Sequence, residues 1–314
     1  MQSSSNPSSP PYQLIDFGNG RKLESFGGIL VDRPCPAATD LPASPSLWAS
    51  ANLIYRSTNE SFGKWVPRAS DSTQDPWTLS IHPTLNRSLQ LLVKPQSSGQ
   101  LGLYPEHWQQ WPWFEHQFEQ WRSNPSAEPQ HPAAPRVLHL FASTGATTLA
   151  LAAMQAEVTH VDAMRSAVEW ARENCRASSM DLLPIRWIVD DARKYVERER
   201  KRKKEYELIL LDPPSYGHGT EGQTWSIQRD LVPLLQACTD LLSKRSIGLV
   251  LTGHSPDIQL KELRHAVEDS VKKPSFERFE TEQAALIDRT GRTLDCGYVA
   301  RFLTVFPAGS QAEG

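Results

Sequence analysis

The stretch Arg136–Asp162, RVLHLFASTGATTLALAAMQAEVTHVD, decides the fold. Val137, Leu138, Leu140 and Phe141 form a short apolar run around His139, as expected of a parallel strand covered on both faces. Ser143, Thr144, Gly145 and Ala146 make a small-residue turn. Gly145 there lets backbone approach a ligand, and the Ala-rich helix after it presents its free N–H groups. A crossover of this length returns parallel at Val158–Val161, and the right-handed rule brings Asp162 to the same sheet edge as Gly145. A carboxylate placed there, seventeen residues after Gly145, can accept hydrogen bonds from both hydroxyls of a ribose. The unit reads as a βαβ nucleotide-binding element, although an apolar strand with an Ala-rich helix also occurs as plain core.

The turn carries one glycine, where a pyrophosphate would call for G-x-G-x-x-G. A nucleoside ligand without phosphate, such as S-adenosylmethionine, needs only a close turn and acidic partners.

Downstream, Ser166–Ala177 has helical apolar spacing, and Ile185–Val189 is a third strand closing on Asp190 and Asp191. A carboxylate at that point suits an exocyclic amine of adenine. Asp191 is favoured over Asp190 because it lies nearer the next helix start, Ala192–Lys204; a simple helix cap is the competing role for each. The basic run from Arg198 to Lys204 should lie at the opposite sheet edge as a solvated helix end, rather than against RNA. Leu208–Leu211 is a fourth apolar strand delivering Asp212-Pro213-Pro214-Ser215-Tyr216. Two prolines stiffen the backbone and remove two donors, so the acid faces a cleft in which a planar base can sit over Tyr216. Ile247–Thr252 reads as a fifth strand, Gln259–Val271 as a helix, and Phe276–Phe279, Ala284–Ile287 and Tyr298–Val305 as closing strands, with a hairpin around Arg289–Arg292.

Upstream, Tyr12–Phe17 and Lys22–Phe26 flank Gly18-Asn19-Gly20 as a hairpin, and Ile29–Val31, Gly63–Trp65, Trp77–Ile81 and Leu89–Val93 continue as short strands. They describe a small antiparallel, Trp-rich domain whose indoles either pack its core or stack on bases; packing is the commoner use. A helix Trp111–Trp121 follows. The resulting division is a disordered tail 1–11, a β-rich domain 12–121, a Pro-rich linker 122–135, a nucleotide-binding domain 136–307 and a tail 308–314.

A length of 314 residues and a formal charge of -3 exclude a uniformly basic nucleic-acid binder while leaving room for a local patch. Cys35, Cys175, Cys238 and Cys296 lie far apart without metal-ligand spacing, and read as reduced, intracellular thiols with no metal. No stretch is apolar enough for a leader or a membrane span, so the expected location is the cytoplasm.

FASTG, VTHVD, WIVDD and LDPPSYG, in this order and spacing, resemble the motifs of class I S-adenosylmethionine-dependent methyltransferases. More narrowly, Arg136–Ser255 resembles the bacterial large-subunit (23S) rRNA methyltransferases that modify cytosine C5 or guanine N7. The resemblance implies an α/β, Rossmann-like fold with a seven-stranded, mostly parallel sheet whose seventh strand runs antiparallel at the edge. It implies S-adenosylmethionine as cofactor and RNA, within rRNA, as partner. It places Phe141, Ala142, Ser143, Thr144 and Gly145 at the methionine side, Asp162 with Ala163 at the ribose, and Asp190 and Asp191 at the adenine. Asp212, Pro213, Pro214 and Tyr216 would hold the target base, with Asp212 also facing the cofactor. Ala146 replaces the family's second glycine, which a negative φ would tolerate. Cytosine-C5 transfer needs a cysteine thiolate, and neither the Asp-Pro-Pro loop nor Gly253-His254-Ser255 supplies one. A nitrogen such as guanine N7 is the expected target, with His254 or His218 as proton acceptor if the target is an exocyclic amine. A small-molecule methyltransferase and an inactive cofactor-binding module are the alternatives.

Overall fold

The computed structural model describes residues 10–59, 62–68, 76–84, 87–123, 132–220, 222–254, 258, 260–268 and 276–304. Both expected tails, most of the linker, Ser255 and the two ends of the Gln259–Val271 helix lie wholly or largely outside them. The chain divides into two compact units, Met1–His82 with Ser88–Glu106 and Ala285–Cys296, and Pro83–Arg87 with His107–Ala284 and Gly297–Gly314.

The first unit contains strands β1 (Tyr12–Gly18), β2 (Arg21–Phe26), β3 (Ile29–Pro34), β4 (Leu53–Ser57) and β5 (Gly63–Pro67) in one sheet of that order. β6 (Trp77–Thr84) and β7 (Arg87–Val93) form a separate pair. The expected first hairpin is present, turning through Asn19 at φ 53°. The sheet is not wholly antiparallel, however, because β3 and β4 pair in parallel. The sequence gives no sign of β4, which follows eighteen residues rich in Pro, Ser and Ala; that long connection is what allows a parallel return. Three indoles here bond within the unit. Trp48 Nε1 donates to Asp16 at 2.7 Å, Trp65 Nε1 to the Gln96 carbonyl at 2.8 Å and Trp77 Nε1 to the Phe26 carbonyl at 3.2 Å.

The second unit opens with helix α1 (Trp111–Ser123) and then alternates β8 (Arg136–Leu140), α2 (Ala146–Ala153), β9 (Glu157–Asp162), α3 (Arg165–Ala177), β10 (Ile185–Val189), α4 (Ala192–Lys201) and β11 (Leu208–Leu211). A short hairpin of β12 (Tyr216–His218) and β13 (Thr224–Ser226) precedes α5 (Ile227–Thr239), β14 (Gly248–Gly253), α6 (Leu260–Glu268), β15 (Arg278–Ile287) and β16 (Thr293–Leu303). Helix α1, placed by the sequence with the first domain, groups with this unit. Its buried face, Trp111, Phe114, Phe118 and Trp121, accounts for that, with Trp111 Nε1 donating to Thr147 Oγ1 at 3.3 Å and Trp121 Nε1 to the Arg245 carbonyl at 2.9 Å.

The seven-stranded sheet has the order β10-β9-β8-β11-β14-β16-β15. Its first five members run parallel, as four alternating βα crossovers require. The antiparallel seventh strand is not at the edge as expected; β16 lies inside, between β14 and β15. Burial explains the order. Val299, Ala300, Phe302 and Leu303 on β16 are buried, whereas Arg278–Ile287 carries exposed Glu, Thr and Gln and suits an edge. Leu138, Leu140, Ile209, Leu211, Leu249 and Leu251 anchor the core on the face covered by α4, α5 and α6.

Candidate functional site

Parallel pairing in the order β10-β9-β8-β11 brings four strand ends to one sheet edge. Phe141–Gly145, Asp162 with Ala163, Asp190 with Asp191, and Asp212 therefore become neighbours although 71 positions separate Phe141 from Asp212.

The turn after β8 is strained. Phe141, Ser143 and Gly145 have φ of 55°, 50° and 82°. Left-handed backbone costs a non-glycine residue roughly 1–2 kcal/mol, so two such residues in one turn mark a conformation imposed by its surroundings. Asp162 holds it: Ser143 N–H donates to one carboxylate oxygen and Met164 N–H to the other, both at 2.8 Å. Buried Asn174 on α3 also donates its amide to the Thr144 carbonyl at 2.9 Å. At Gly145 a Cβ would lie 2.7 Å from Ala171 Cβ, so only glycine admits this approach of α3. Ala146 begins α2 without positive φ, as expected of its replacement for glycine.

A carboxylate accepts about four hydrogen bonds, and Asp162 receives these two backbone donors, which leaves acceptor capacity for a ribose. Burial pushes its carboxyl above the usual carboxylate value against those two donors. Beneath the turn, Thr148 Oγ1 bridges His139 Nδ1 at 2.8 Å and His160 Nδ1 at 2.9 Å. Burial lowers the His139 imidazole to about 3 and the His160 imidazole well below its ordinary value, so both are neutral at pH 7.

At the end of β10, Asp191 is the N-cap of α4, accepting from the Arg193 and Lys194 N–H groups. It also takes the Arg193 guanidinium at 3.1 Å and 2.7 Å. Burial raises its carboxyl, but Arg193 and the cap outweigh it and hold it below the usual range. Asp190 accepts the Asp191 N–H at 2.8 Å and pairs with Arg198. The capping role considered for these residues thus falls on Asp191. Arg200 and Arg202 of the basic run pair with Asp240 and Glu199.

Asp212 leaves β11 beside the turn. Its Oδ1 accepts from Thr252 Oγ1 at 2.6 Å, and its Oδ2 lies 3.4 Å from His107 Nε2. Burial raises this carboxyl, yet His107, His254 and the Thr252 hydroxyl hold it below the ordinary value. The His254 ring stands 5.9 Å from that of His107. Pro213 is buried, and Pro214 offers its carbonyl to Trp225 Nε1 at 2.6 Å. Tyr216, expected to face a base, is 72% exposed on the β12–β13 hairpin, and His218 is exposed beside it. The Trp225 ring packs on Phe141, centroids 4.9 Å apart. Sequence reasoning missed His107, Asn174, Arg193 and Trp225. Only Asn174, a polar residue on the apolar face of a helix, leaves a trace in the sequence.

Burial pushes the thiols of Cys175 and Cys296 up to about 11 and about 12, and that of Cys238 higher still. No described residue of the Asp-Pro-Pro loop or of the segment after β14 is a cysteine.

Residues 125–275 match the family described as S-adenosylmethionine-dependent methyltransferase. Among curated proteins, the chain is 34% identical over 108 residues, 34% of its own length, to a Ribosomal RNA large subunit methyltransferase K/L of Syntrophotalea carbinolica. It is 25% identical over 219 residues, 65% of its length, to a Ribosomal RNA large subunit methyltransferase I of Escherichia coli O9:H4. The chain spans 15% and 51% of the lengths of these two relatives. A solved SAM-dependent methyltransferase from Agrobacterium tumefaciens superposes with a TM-score of 0.82 at 29% identity, covering 95% of this chain and 92% of that one. SMU.776, solved in complex with SAH, shares the fold at 15% identity, with a TM-score of 0.63 over 91% of this chain and 72% of its own. Over residues 125–275, just under half of its length, the chain is similar to the S-adenosylmethionine-dependent methyltransferase family.

Proposed function

We propose that this protein methylates a base of RNA, within ribosomal RNA, at a nitrogen such as guanine N7. The reading is carried by Asp212, whose carboxylate, 27% exposed and held by Thr252 and His107, follows the strand adjacent to the strained Phe141–Gly145 turn and precedes the rigid Pro213-Pro214. The relatives' names, ribosomal RNA large subunit methyltransferases K/L and I, support the substrate class.

S-adenosylmethionine, when bound, supplies an electrophilic methyl group on a sulfonium. Asp162 with Ala163 would hold its ribose, Phe141–Gly145 its methionine end, and the Asp190–Asp191 segment its adenine. The Asp191 carboxylate is already engaged by its cap and by Arg193, so the segment would meet adenine through its backbone. Asp212 and the Pro213 carbonyl would orient the target base, with Pro214 held by Trp225 and Tyr216 available to stack on the base. Attack by a ring nitrogen needs no enzyme nucleophile, and the catalytic task is alignment. The high thiol values of the buried cysteines argue in the same direction, away from a C5 route that requires a thiolate.

The test is transfer of tritium from labelled cofactor to RNA extracted from cells lacking the gene, followed by nucleoside digestion. Label in a nitrogen-methylated nucleoside is the expected result. Label in 5-methylcytidine would overturn the nitrogen assignment, and no label in any RNA fraction would overturn the substrate.

A further inference from the structure

The function proposed above uses Arg193 only as the partner that occupies Asp191, yet its guanidinium joins the two halves of the site. Nε and Nη2 grip the Asp191 carboxylate at 3.1 Å and 2.7 Å, at the end of β10. Nη1 reaches the other way, donating to the Thr224 carbonyl at 3.1 Å and to Asp230 at 3.0 Å. Thr224 belongs to β13, and Asp230, in the first turn of α5, fixes the same hairpin by accepting the Ser226 N–H at 3.0 Å. The face of the guanidinium lies over the Trp225 ring, 5.7 Å from its centroid. That ring packs on Phe141 of the strained turn and donates its N–H to the Pro214 carbonyl.

The hairpin's own turn closes against the same acid. A Cβ at Gly219 would lie 2.5 Å from Asp191 Oδ2, so the glycine admits the carboxylate edge to backbone distance. Arg229 holds the same Thr224 carbonyl at 2.6 Å and the same Asp230 carboxylate at 2.8 and 2.7 Å, and Arg193 adds the grip on Asp191 across the site, a span that a planar cation with five donors covers and an ammonium does not.

We propose that Arg193 is the positioning residue that fixes the Tyr216–Ser226 hairpin, and through it the Asp-Pro-Pro loop, against the cofactor end of the sheet. The inference rests on the function proposed above in taking this hairpin to present the target base. Arg193 itself touches neither base nor cofactor. It sets the distance between them by locking the hairpin to Asp191 on one side and to α5 on the other. A loop displaced by about 1 Å costs on the order of a hundredfold in rate when alignment is the source of catalysis.

The test uses the full-length protein and three variants. Arg193→Met keeps length and apolar cover but removes every donor, Arg193→Lys keeps charge without the fork, and Asp230→Asn weakens the bridge from the far side. The first readout is amide hydrogen exchange of Tyr216–His218 and Thr224–Ser226, which needs no RNA. Faster exchange there, with β8 and β11 protection unchanged, is expected in Arg193→Met, with Asp230→Asn between it and wild type. The second is single-turnover methylation of RNA: a rate loss of about tenfold to a hundredfold in Arg193→Met, partly recovered in Arg193→Lys, with cofactor affinity within about twofold of wild type. Unchanged hairpin exchange in both Arg193→Met and Asp230→Asn would overturn the proposal. So would a loss of cofactor affinity as large as the loss of rate, which would make Arg193 a support for the cofactor pocket alone. If wild-type protein methylates no RNA, the function proposed above fails, while the exchange experiment still decides whether Arg193 fixes the hairpin. Should Arg193→Met not fold, Asp230→Asn carries the same two readouts.

Discussion

The two ends of β8 and β11 differ in kind although the same four-residue register joins them. At the amino end, Arg136 closes on buried Glu207: its backbone N–H, Nε and Nη2 all donate to the carboxylate, at 2.7, 3.0 and 2.7 Å. The Glu207 N–H returns a bond to the Arg136 carbonyl at 2.8 Å. At the carboxyl end there is left-handed backbone at Phe141 and Ser143, and a carboxylate, Asp212, braced by a hydroxyl and an imidazole rather than by a guanidinium fork. One end satisfies its charges internally and serves stability. The other keeps acceptor capacity and strain, as a site that must receive a ligand does.

Substitutions at the two ends should therefore separate. Asp212→Ala is expected to lower the methylation rate by about a hundredfold or more with little change in melting temperature, measured by single-turnover label transfer. Gly145→Ala places a methyl 2.7 Å from Ala171 Cβ at φ 82°. Left-handed strain and overpacking together should cost about 2–4 kcal/mol in urea unfolding. Glu207→Gln, at the closed end, removes a carboxylate that is 2% exposed from an arginine that is 32% exposed. With the partner a third exposed, the loss should be about 2 kcal/mol, and the rate per folded molecule should match wild type.

A more gradual effect is expected with pH. His139 titrates near 3 in the fold, and His160 is also depressed, both because they are buried. In the unfolded chain they protonate near 6.5. Their neutral forms therefore contribute full stability above about pH 6.5, and that contribution falls as acid is added because the unfolded state binds the extra protons. The slope should approach about 1.4 kcal/mol per pH unit for each imidazole. Urea midpoints from pH 7 to pH 4 should flatten in a His139→Gln, His160→Gln double variant; an unchanged slope would assign the acid sensitivity elsewhere. The smallest change expected is for Trp65→Phe in the first unit, which loses one hydrogen bond and about 1 kcal/mol. RNA binding should be untouched, since that indole is 9% exposed.

The sequence made the parallel strands plain because β8, β9 and β11 are buried on both faces, and uninterrupted apolar runs are then the only signal needed. The acids at their ends followed from topology alone. The β12–β13 hairpin was not legible: its strands have three residues each and carry Gly, His, Thr and Ser, with no period to read. β15 was read as two fragments because Glu280-Thr281-Glu282-Gln283 at its centre is an exposed edge, where no buried face imposes a pattern. His107 and Arg193 are invisible for a different reason. One lies 105 positions from Asp212 and the other is a single cation among many, so only three-dimensional placement distinguishes them.

The contrast between the two sheet ends is tested most directly by titrating S-adenosylmethionine into wild-type protein, Asp162→Ala and Glu207→Gln in a calorimeter. Loss of hydrogen bonds to an ionised acceptor is worth about 1.5–3 kcal/mol, or about tenfold to a hundredfold in affinity. Asp162→Ala should show that loss while Glu207→Gln binds within about twofold of wild type. Equal affinities for wild type and Asp162→Ala would contradict the account.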